Sequence, residues 1–494
     1  MNKIFKISQG ILVLTMLLCS SCMKDHPEDY KKDQVADFQF DNALKDAYLA
    51  NVGDVLSLEA KITAPANPSL TYKWYYYSAA ANSTVTRVNV GTAPKLDLNI
   101  NMETGAYYLV AEVTDTNTGV KGYKKIALTV KRLTSEGWLL LTWKNNQANL
   151  SIVSSANEVL KNFLKPSATY PITSKPENLI CINDWDAKSQ PIIIKTAQPN
   201  VYFLDYNTFD VHNDARDAFK SGLNPPITHF GTDMYNNVFY MWDNNGLVYQ
   251  VNRSAPVNYP AGFDQPMQGT YKAAKFVLPV SSGYPVPSVF YDEQAKRFLY
   301  QDYGGNVLKP FQAKPASAPF DMNNFPDQIV YTDNGASDMT YVIGKNTSGE
   351  HRLYTLALND ALNTYPAMAA DKLDIPNNAA PSFYTISGKL PLLYYIVNNN
   401  LYLYKMGEKR SMLLYTFPAD ESVSALKMLR GTAWFTSSNN PNVENLLGIA
   451  VNTTAGGVLY TFELSATGAL KTGKYTTRND GFDPIVDIAY KMQK

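Results

Sequence analysis

The chain has 494 residues, and its 44 basic and 44 acidic side chains cancel to a formal charge of zero. A nucleic-acid-binding protein usually carries a basic excess, so the composition predicts no nucleic-acid partner. Hydrophobic residues make up 45% and charged residues 18%, a balance typical of a packed globular protein and not of a disordered chain. The 34 tyrosines against 4 histidines favour β-rich structure and argue against a multi-histidine metal site.

Residues 1–21 are predicted to be a lipoprotein signal peptide. Two lysines precede the apolar run 11–18, which is too short to span a bilayer. Cys22 follows the small Ser21, and this segment resembles a bacterial lipobox, although Cys19 stands where that motif usually has leucine. We therefore expect Cys22 to be lipidated and to begin the mature chain. The alternative is an ordinary secretory signal followed by a chance cysteine.

Residues 22–37 are charged and contain a proline, so they are predicted to be a flexible tether. The lysine and acidic residues after Cys22 resemble the export signal that places Bacteroidota lipoproteins on the outer face of the outer membrane. The predicted location is therefore the outer membrane, lipid-anchored and facing the cell exterior. Beyond this segment the only thiol is Cys181, which cannot form an internal disulfide and is predicted to be a buried small hydrophobe.

Residues 38–132 alternate between apolar and polar positions with a period of two, the pattern of short, half-buried strands. Apolar residues alternate at 56–62, at 70–76 around a candidate core residue, Trp74, and at 107–113. A turn is predicted at 115–119, before a further alternating strand. Together these strands predict an immunoglobulin-like β-sandwich.

The same segment resembles a PKD domain. Residues 107–115 followed by 124–130 look like the last two strands of that domain, and 70–74 (LTYKW) looks like its Tyr-x-Trp strand. The acidic turn that usually follows this tryptophan is replaced here by 75–78 (YYYS), so calcium or turn chemistry is not carried over. The resemblance implies a spacer module.

Residues 133–494 contain repeated strand–turn–strand units rich in tyrosine. The clearest copies are 236–251, 297–308 and 392–404. Their equivalent tyrosines, Tyr240, Tyr300 and Tyr394, are separated by 60 and 94 positions, which indicates a period near 50 residues. Hairpins at this period are typical of a β-propeller, and the length predicts about seven blades. The fold class is therefore all-β, with two weak helical candidates at 157–164 and 214–220.

The two ends of this second domain are predicted to share one blade. Strand-like segments lie at 137–143 and at 485–490. Pairing between them would close the ring and remove exposed strand edges.

The order of lipobox, PKD-like domain and a C-terminal domain opening with 136–141 (EGWLLL) is similar to the PKD-like lipoproteins of Bacteroidota. That resemblance implies a place in a nutrient-uptake locus. The implied partners are a TonB-dependent outer-membrane transporter and its substrate-binding lipoprotein. The family itself supplies no mechanism.

The sequence contains no strong catalytic motif. The zinc-protease, nucleophile-elbow and phosphate-loop patterns are all absent from it. The favoured function is therefore non-enzymatic binding of a glycan or peptide nutrient, or of partner proteins. Aromatic rings near turns could form the binding surface, although an aromatic residue in a strand normally packs in the core. The candidates are Trp185, Trp242, Tyr291 and Trp434.

Two alternatives remain open at this stage. One is a propeller hydrolase or lyase, with Asp184 and Asp186 as the candidate catalytic carboxylates, although carboxylates at this spacing are more often part of turns. A purely structural or adhesive component is the other. Asn- and Asp-rich turns such as 243–246 could offer oxygen ligands to calcium, but none matches an EF-hand loop and no cofactor is predicted.

Overall fold

The computed structural model describes residues 38–63, 69–80, 85–183, 191–198, 200–220, 222–233, 238–252, 262–278, 280, 288–301, 305–431 and 440–492. They form two compact units that divide between Arg132 and Leu133. Strands dominate both, and the helical segments among the described residues of the second unit are short 3-10 turns at Ala336–Asp338, Leu358–Asp360 and Pro376–Asn378. Across the described ranges, no helix is long and apolar enough to cross a membrane.

The first unit is a β-sandwich, as its alternation predicts. Its strands are β1 (Gln39–Phe40), β2 (Ala47–Asn51), β3 (Val55–Glu59), β4 (Ile62–Thr63), β5 (Leu70–Ser78), β6 (Val88–Gly91), β7 (Lys95–Asn99), β8 (Gly105–Asp115) and β9 (Lys121–Lys131). A five-stranded sheet of order β2-β9-β8-β5-β6 packs with the pairs β3-β7 and β1-β4.

Trp74 lies at the centre of the sandwich core, as predicted. Its side chain is fully buried among Leu58, Leu98, Leu109 and Ile126, which come from both sides of the sandwich. The indole nitrogen donates to a loop carbonyl at 2.9 Å, so the one polar atom of the ring is satisfied.

Among its described residues, the second unit contains seven sheets of repeated antiparallel strands. Blade 1 has β10 (Gly137–Lys144), β11 (Gln147–Ser154), β12 (Val159–Leu160) and the last strand, β35 (Ile485–Lys491). Blade 2 has β13 (Pro176–Cys181), β14 (Ile192–Thr196), β15 (Asn200–Leu204) and β16 (Val211–Asp214). Blade 3 has β17 (Ile227–Asp233), β18 (Val238–Asp243) and β19 (Val248–Asn252). Blade 4 has β20 (Ser288–Asp292), β21 (Arg297–Gln301) and β22 (Leu308–Pro310).

The remaining three blades have four strands each. Blade 5 has β23 (Gln328–Asn334), β24 (Thr340–Lys345), β25 (His351–Leu356) and β26 (Ala367–Lys372). Blade 6 has β27 (Phe383–Ile386), β28 (Leu392–Val397), β29 (Asn400–Lys405) and β30 (Arg410–Thr416). Blade 7 has β31 (Ser422–Met428), β32 (Leu446–Thr453), β33 (Gly456–Glu463) and β34 (Thr477–Phe482).

The blades form a closed ring. Blade 1 joins the two ends of the unit, because β10 pairs antiparallel with β35 from Gly137 opposite Lys491 to Thr142 opposite Ile485. Each blade also shares one apolar cluster with the next blade in sequence, and blade 7 shares one with blade 1. Seven sheets joined by seven clusters make a seven-bladed β-propeller, and the predicted pairing of its ends is present.

The register of the predicted repeat was wrong in one copy. Tyr240 and Tyr394 lie in β18 and β28, the second strands of blades 3 and 6, whereas Tyr300 lies in β21, one strand further out. The first strand of blade 4 is the irregular segment 274–278, which bonds to β20. The true equivalent of Tyr240 is Phe290, 50 positions later. The period of about 50 residues therefore holds.

The two weak helical predictions are also wrong. Residues 157–164 contain β12 and irregular chain, and 214–220 form the end of β16 and turns. Both segments lie at the outer edge of a blade, where apolar residues that resemble a helical stripe instead pack against neighbouring strands. Cys181, predicted to be buried, is only partly buried at the end of β13.

Candidate functional site

The strongest candidate site is a cavity of about 430 Å³ at one end of the propeller channel. Its walls include Asp487 of β35, Asn178 of β13, Tyr331 of β23, Tyr384 of β27 and Ser424 of β31. These are the innermost strands of blades 1, 2, 5, 6 and 7, so the cavity surrounds the propeller axis. Most of these residues lie in the first half of their strand, which places the cavity at the end of the channel where the inner strands begin.

Two tyrosine rings form one wall of the cavity. Tyr331 and Tyr384 lie on neighbouring blades and stack with ring centroids 5.5 Å apart and planes 28° apart. The Tyr331 hydroxyl donates to Asp333 Oδ2 at 2.8 Å. Burial, together with the nearby Asp333 carboxylate, raises the pKa of Tyr331 well above its ordinary value, so the phenol stays neutral at physiological pH.

Two hydroxyl groups of the lining have no hydrogen-bond partner among the described residues. They are the Tyr384 hydroxyl and the Ser424 hydroxyl, and both oxygens are buried. Burial also raises the pKa of Tyr384, so its hydroxyl remains a donor. A buried polar atom without a partner costs free energy, so groups like these favour a water or ligand atom beside them.

A carboxylate joins three blades at the cavity wall. Asp487 Oδ2 accepts hydrogen bonds from Asn178 Nδ2 at 2.8 Å and from the Leu179 amide at 2.9 Å. Lys427 Nζ lies 3.6 Å from Asp487 Oδ1. Asp487 is buried, so these partners satisfy its carboxylate oxygens and fix β35 against β13 and β31.

The other charged groups lie around the cavity rim. Glu177 forms an ion pair with Lys195 at 2.8 Å. Lys345 lies opposite His351 in the β24–β25 register and has no ion pair among the described residues. Burial and the nearby Lys345 lower the pKa of His351, so this imidazole is neutral at physiological pH. Of the charged rim residues that the structure describes, Lys345 is the one without an ion pair.

An ion-pair network lies at the opposite ends of the inner strands. The Arg430 guanidinium donates to Asp333 Oδ2 at 2.9 Å, to Glu444 Oε1 at 3.0 Å and to the Ile386 carbonyl at 2.7 Å. It also donates to the Asn334 side-chain oxygen at 2.8 Å. Burial alone would lower the pKa of Arg430, but the Asp333 and Glu444 carboxylates raise it above its ordinary value. This permanent cation joins blades 5, 6 and 7.

The structure places two of the four predicted aromatic residues in the packing between blades. Trp242 has no exposed surface and lies 6.1 Å, centroid to centroid, from Phe290 of the next blade. Tyr291 is only 5% exposed and packs between blades 4 and 5. Rings covered in this way present no face to a ligand in solution. Trp185 and Trp434 lie outside the described residues.

Of the carboxylates singled out from sequence, some lie within the described residues and some outside them. Asp184 and Asp186 lie outside the described residues. Asp243 is buried, and its Oδ1 accepts from the amides of Asn245 and Leu247 at 2.9 Å, which is the bonding of a tight turn. Within the described ranges, no three His, Cys, Asp or Glu side chains are grouped so that they could hold a metal ion.

Sequence reasoning missed the residues that line the cavity. Tyr331, Tyr384, Asn178 and Asp487 lie on the innermost strand of their blades, whereas the repeat was recognised from the more regular strands further out. These residues could have been found from their position in the repeat, because the innermost strand of each blade directly follows the loop from the preceding blade. Reading that position requires the correct register of the repeat.

A PKD-like family model matches residues 25–176. The N-terminal part of this chain is therefore similar to the PKD-like family. The match confirms the resemblance to PKD-like proteins, and it extends past the sandwich into blade 1. No curated protein matches the chain significantly.

Several solved structures are similar to this chain, each at low sequence identity. A quinoprotein alcohol dehydrogenase-like protein from Bacteroides thetaiotaomicron is 11% identical, with a TM-score of 0.45, covering 92% of this chain and 99% of that one. The β-propeller domain of Cps50 (Swd1) from Myceliophteria thermophila is 11% identical, with a TM-score of 0.38, covering 62% and 89%. The extracellular domain of a protein described as a one-component system from B. thetaiotaomicron is 11% identical, with a TM-score of 0.36, covering 63% and 36%.

Proposed function

We propose that this protein is a non-enzymatic, lipid-anchored protein of the outer surface whose propeller binds a glycan or peptide nutrient in the channel-end cavity. The observation that carries the proposal is the cavity itself, which combines a stacked tyrosine pair with two unpartnered buried hydroxyls. Its volume lies within the range of small-molecule sites, which combine apolar surface with a few polar groups that fix orientation.

The carboxylates of the cavity support binding more than hydrolysis. A glycosidase needs one carboxyl group that can give up a proton and a second that can act as base or nucleophile. Here Glu177 is ion-paired with Lys195, and Asp487 accepts two hydrogen bonds from blade 2. Both carboxylates are thus engaged in holding the blades and their charges in place.

The ligand site can be tested by filling the mouth of the cavity. Ala380 lines the cavity and is exposed, so Ala380→Trp should block entry without disturbing the core. Ala419→Trp, also exposed but in a loop outside the cavity lining, is the matched control. Binding of malto-, xylo- and cello-oligosaccharides and of a tryptic casein digest would be measured by native mass spectrometry and calorimetry.

We expect at least one of these probes to bind the unaltered protein. Ala380→Trp should weaken that binding at least tenfold, and Ala419→Trp should leave it within twofold. If Ala380→Trp binds as tightly as the unaltered chain, the ligand site lies elsewhere. If none of the oligosaccharides or peptides binds, the proposed function is wrong.

The anchor is supported by the lipobox-like sequence before Cys22. Metabolic labelling with palmitate should mark the unaltered chain and should not mark Cys22→Ser. Protease treatment of intact cells should then remove the protein if it faces outward. An unlabelled chain would contradict the anchor, and a chain that survives while known surface proteins are cut would contradict the outward orientation.

The proposed partners are a TonB-dependent transporter and its substrate-binding lipoprotein, as the family resemblance implies. The sandwich would act as a spacer between the anchor and the propeller. Co-purification from solubilised outer membranes tests this association, because an accessory protein should recover the transporter in stoichiometric amounts. Recovery of this chain alone under mild conditions would contradict it.

A further inference from the structure

The outward side of the five-stranded sandwich sheet carries an unusual set of side chains. Along β5, Trp74 points into the core, so its neighbours Lys73 and Tyr75 point outward, as does Tyr77. The strand register places Tyr108 of β8, and Tyr123 and Lys125 of β9, on the same side of the sheet. We call these six residues the tyrosine–lysine face.

The strand register brings these side chains together. Tyr77 lies opposite Tyr108, and their ring centroids are 5.6 Å apart. Tyr75 and Tyr77 stack along the same strand at 6.5 Å. On the other side of β8, Lys125 lies opposite Val110 and Tyr123 lies opposite Glu112. The solvent-facing side of a sheet normally carries polar residues. This one carries four tyrosines, and three of them, Tyr75, Tyr77 and Tyr108, form an aromatic layer.

Cations cover part of this aromatic layer. Lys125 Nζ lies 3.5 Å from the centroid of the Tyr108 ring. The Arg87 guanidinium lies 5.0 Å, and Lys73 Nζ 6.0 Å, from the centroid of the Tyr75 ring. Attraction between a cation and the ring face holds these side chains over the sheet.

These cations are not neutralised. Lys73, Arg87 and Lys125 are exposed, and none forms an ion pair within the described part of the chain. Glu112, which lies between Lys73 and Tyr123 in the strand register, is already paired with Lys121 at 2.7 Å. The face therefore has an excess of positive charge, although the chain as a whole is neutral.

Two rings of the face remain uncovered. Tyr123 is 55% exposed, and Tyr77 is partly exposed; among the described residues no cation lies over either ring. The two lie on β9 and β5 with β8 between them, and Tyr77 is four positions along β5 from the row of Tyr123. From strand geometry their separation is roughly 16 Å, so one extended ligand could contact both rings.

We propose that the tyrosine–lysine face binds an anionic polysaccharide. Carboxylate or sulfate groups of the polymer would pair with Lys73, Arg87 and Lys125, and its sugar rings would pack on Tyr77 and Tyr123. An extended ligand fits because the cations lie between and beside the two uncovered rings. This site lies on a different unit from the propeller cavity and does not depend on the function proposed for it.

The test compares polymers that differ only in charge. Polygalacturonate and fully methyl-esterified pectin have the same sugar backbone, and only the first carries carboxylates. The full chain carrying Cys22→Ser would be used, because it lacks the acceptor thiol for a lipid. Its binding to both polymers, and to vesicles of phosphatidylglycerol, would be measured at 20 and 200 mM salt by affinity electrophoresis and sedimentation.

The variant Lys73→Gln/Lys125→Gln removes two charges from the face. Lys61→Gln/Lys95→Gln is the matched control, since it removes two exposed charges of the same unit that are paired with Glu59 and Asp97. Tyr123→Ala tests the uncovered ring. Circular dichroism and melting temperature would show that each variant is folded.

We expect binding to polygalacturonate that weakens with salt, and little binding to the esterified polymer. The face variant should lose at least tenfold in affinity, Tyr123→Ala about threefold or more, and the control less than twofold. Equal losses in the face and control variants, equal binding to the esterified polymer, or binding only to the vesicles would overturn the proposal. An Ala380→Trp chain should bind polygalacturonate normally, which separates this site from the cavity.

Discussion

Closure of the propeller ring depends on the last strand, and this can be tested at one side chain. Ile488 of β35 is fully buried in the cluster that joins blades 7 and 1. Val159 of β12, the outer strand of the same blade, is 38% exposed. Both residues are β-branched, so their replacement by alanine changes strand propensity in the same direction and differs mainly in burial.

The expected magnitudes follow from burial. Ile488→Ala removes buried carbons and leaves a cavity between blades, which costs about 2–5 kcal/mol of unfolding free energy. Val159→Ala removes partly exposed carbons and should cost about 1 kcal/mol or less. The larger loss is a substantial share of the roughly 5–15 kcal/mol that stabilises a typical protein.

Urea unfolding followed by tryptophan fluorescence and by circular dichroism would measure both variants, with coincidence of the two probes as the check for two-state behaviour. Ile488→Ala should unfold at clearly lower urea and temperature than the unaltered chain, with Val159→Ala close to it. Deleting residues 487–494 should prevent cooperative unfolding of the propeller. If Ile488→Ala is no less stable than Val159→Ala, ring closure through β35 does not stabilise the propeller.

Two further predictions concern buried polar groups. Arg430→Gln leaves the Asp333 and Glu444 carboxylates without their shared cation, so we expect a loss of about 2–4 kcal/mol in unfolding free energy. The control, Lys471→Gln, breaks an exposed ion pair and should cost about 1 kcal/mol or less. Equal losses for the two variants in urea unfolding would show that the network is not stabilising. The pKa of His229 is lowered from 6.5 to about 3, first by burial and then by Lys195 and Lys275. Its contribution to stability is therefore complete above pH 6.5 and is lost as the pH falls towards 3, because only the unfolded chain takes up the proton. At pH 5 the unfolding free energy is lower by about 2 kcal/mol than it is above pH 6.5. His229→Gln should show a shallower fall in unfolding free energy between pH 6.5 and 4, and an unchanged pH profile would contradict the assignment.

Much of the fold could be predicted because strand signals are local. Trp74 and its alternating neighbours on β5 identify a half-buried strand, and the structure confirms it. The second and third strands of the blades were recognised for the same reason, since they are buried on both faces and rich in tyrosine and branched residues. The period of these strands was enough to predict about seven blades.

The cavity could not be predicted because its walls come from strands far apart in sequence. Asn178 and Asp487 are in hydrogen-bond contact although they are 309 positions apart. Tyr331 and Tyr384 stack only because consecutive blades place equivalent strands side by side around the axis. Nothing local marks these residues, since the inner strands are less apolar than the strands that follow them.

The burial of the aromatic candidates was also not predictable from local sequence. Trp242 and Tyr291 were singled out because they lie near turns, and proximity to a turn says little about which face of a strand is covered by the next blade. The tyrosine–lysine face was equally invisible in sequence, because the contact of Lys125 with Tyr108 depends on the pairing of β8 with β9.

The all-β class, the sandwich followed by a repeated domain, and the approximate length of each repeat follow from local patterns, because alternation and turn residues act over a few positions. Which strand of each blade faces the axis, which rings are covered and which charges remain unpaired became visible only in the folded chain. Those properties depend on the packing of blade against blade and strand against strand, and residues hundreds of positions apart meet only when the ring closes.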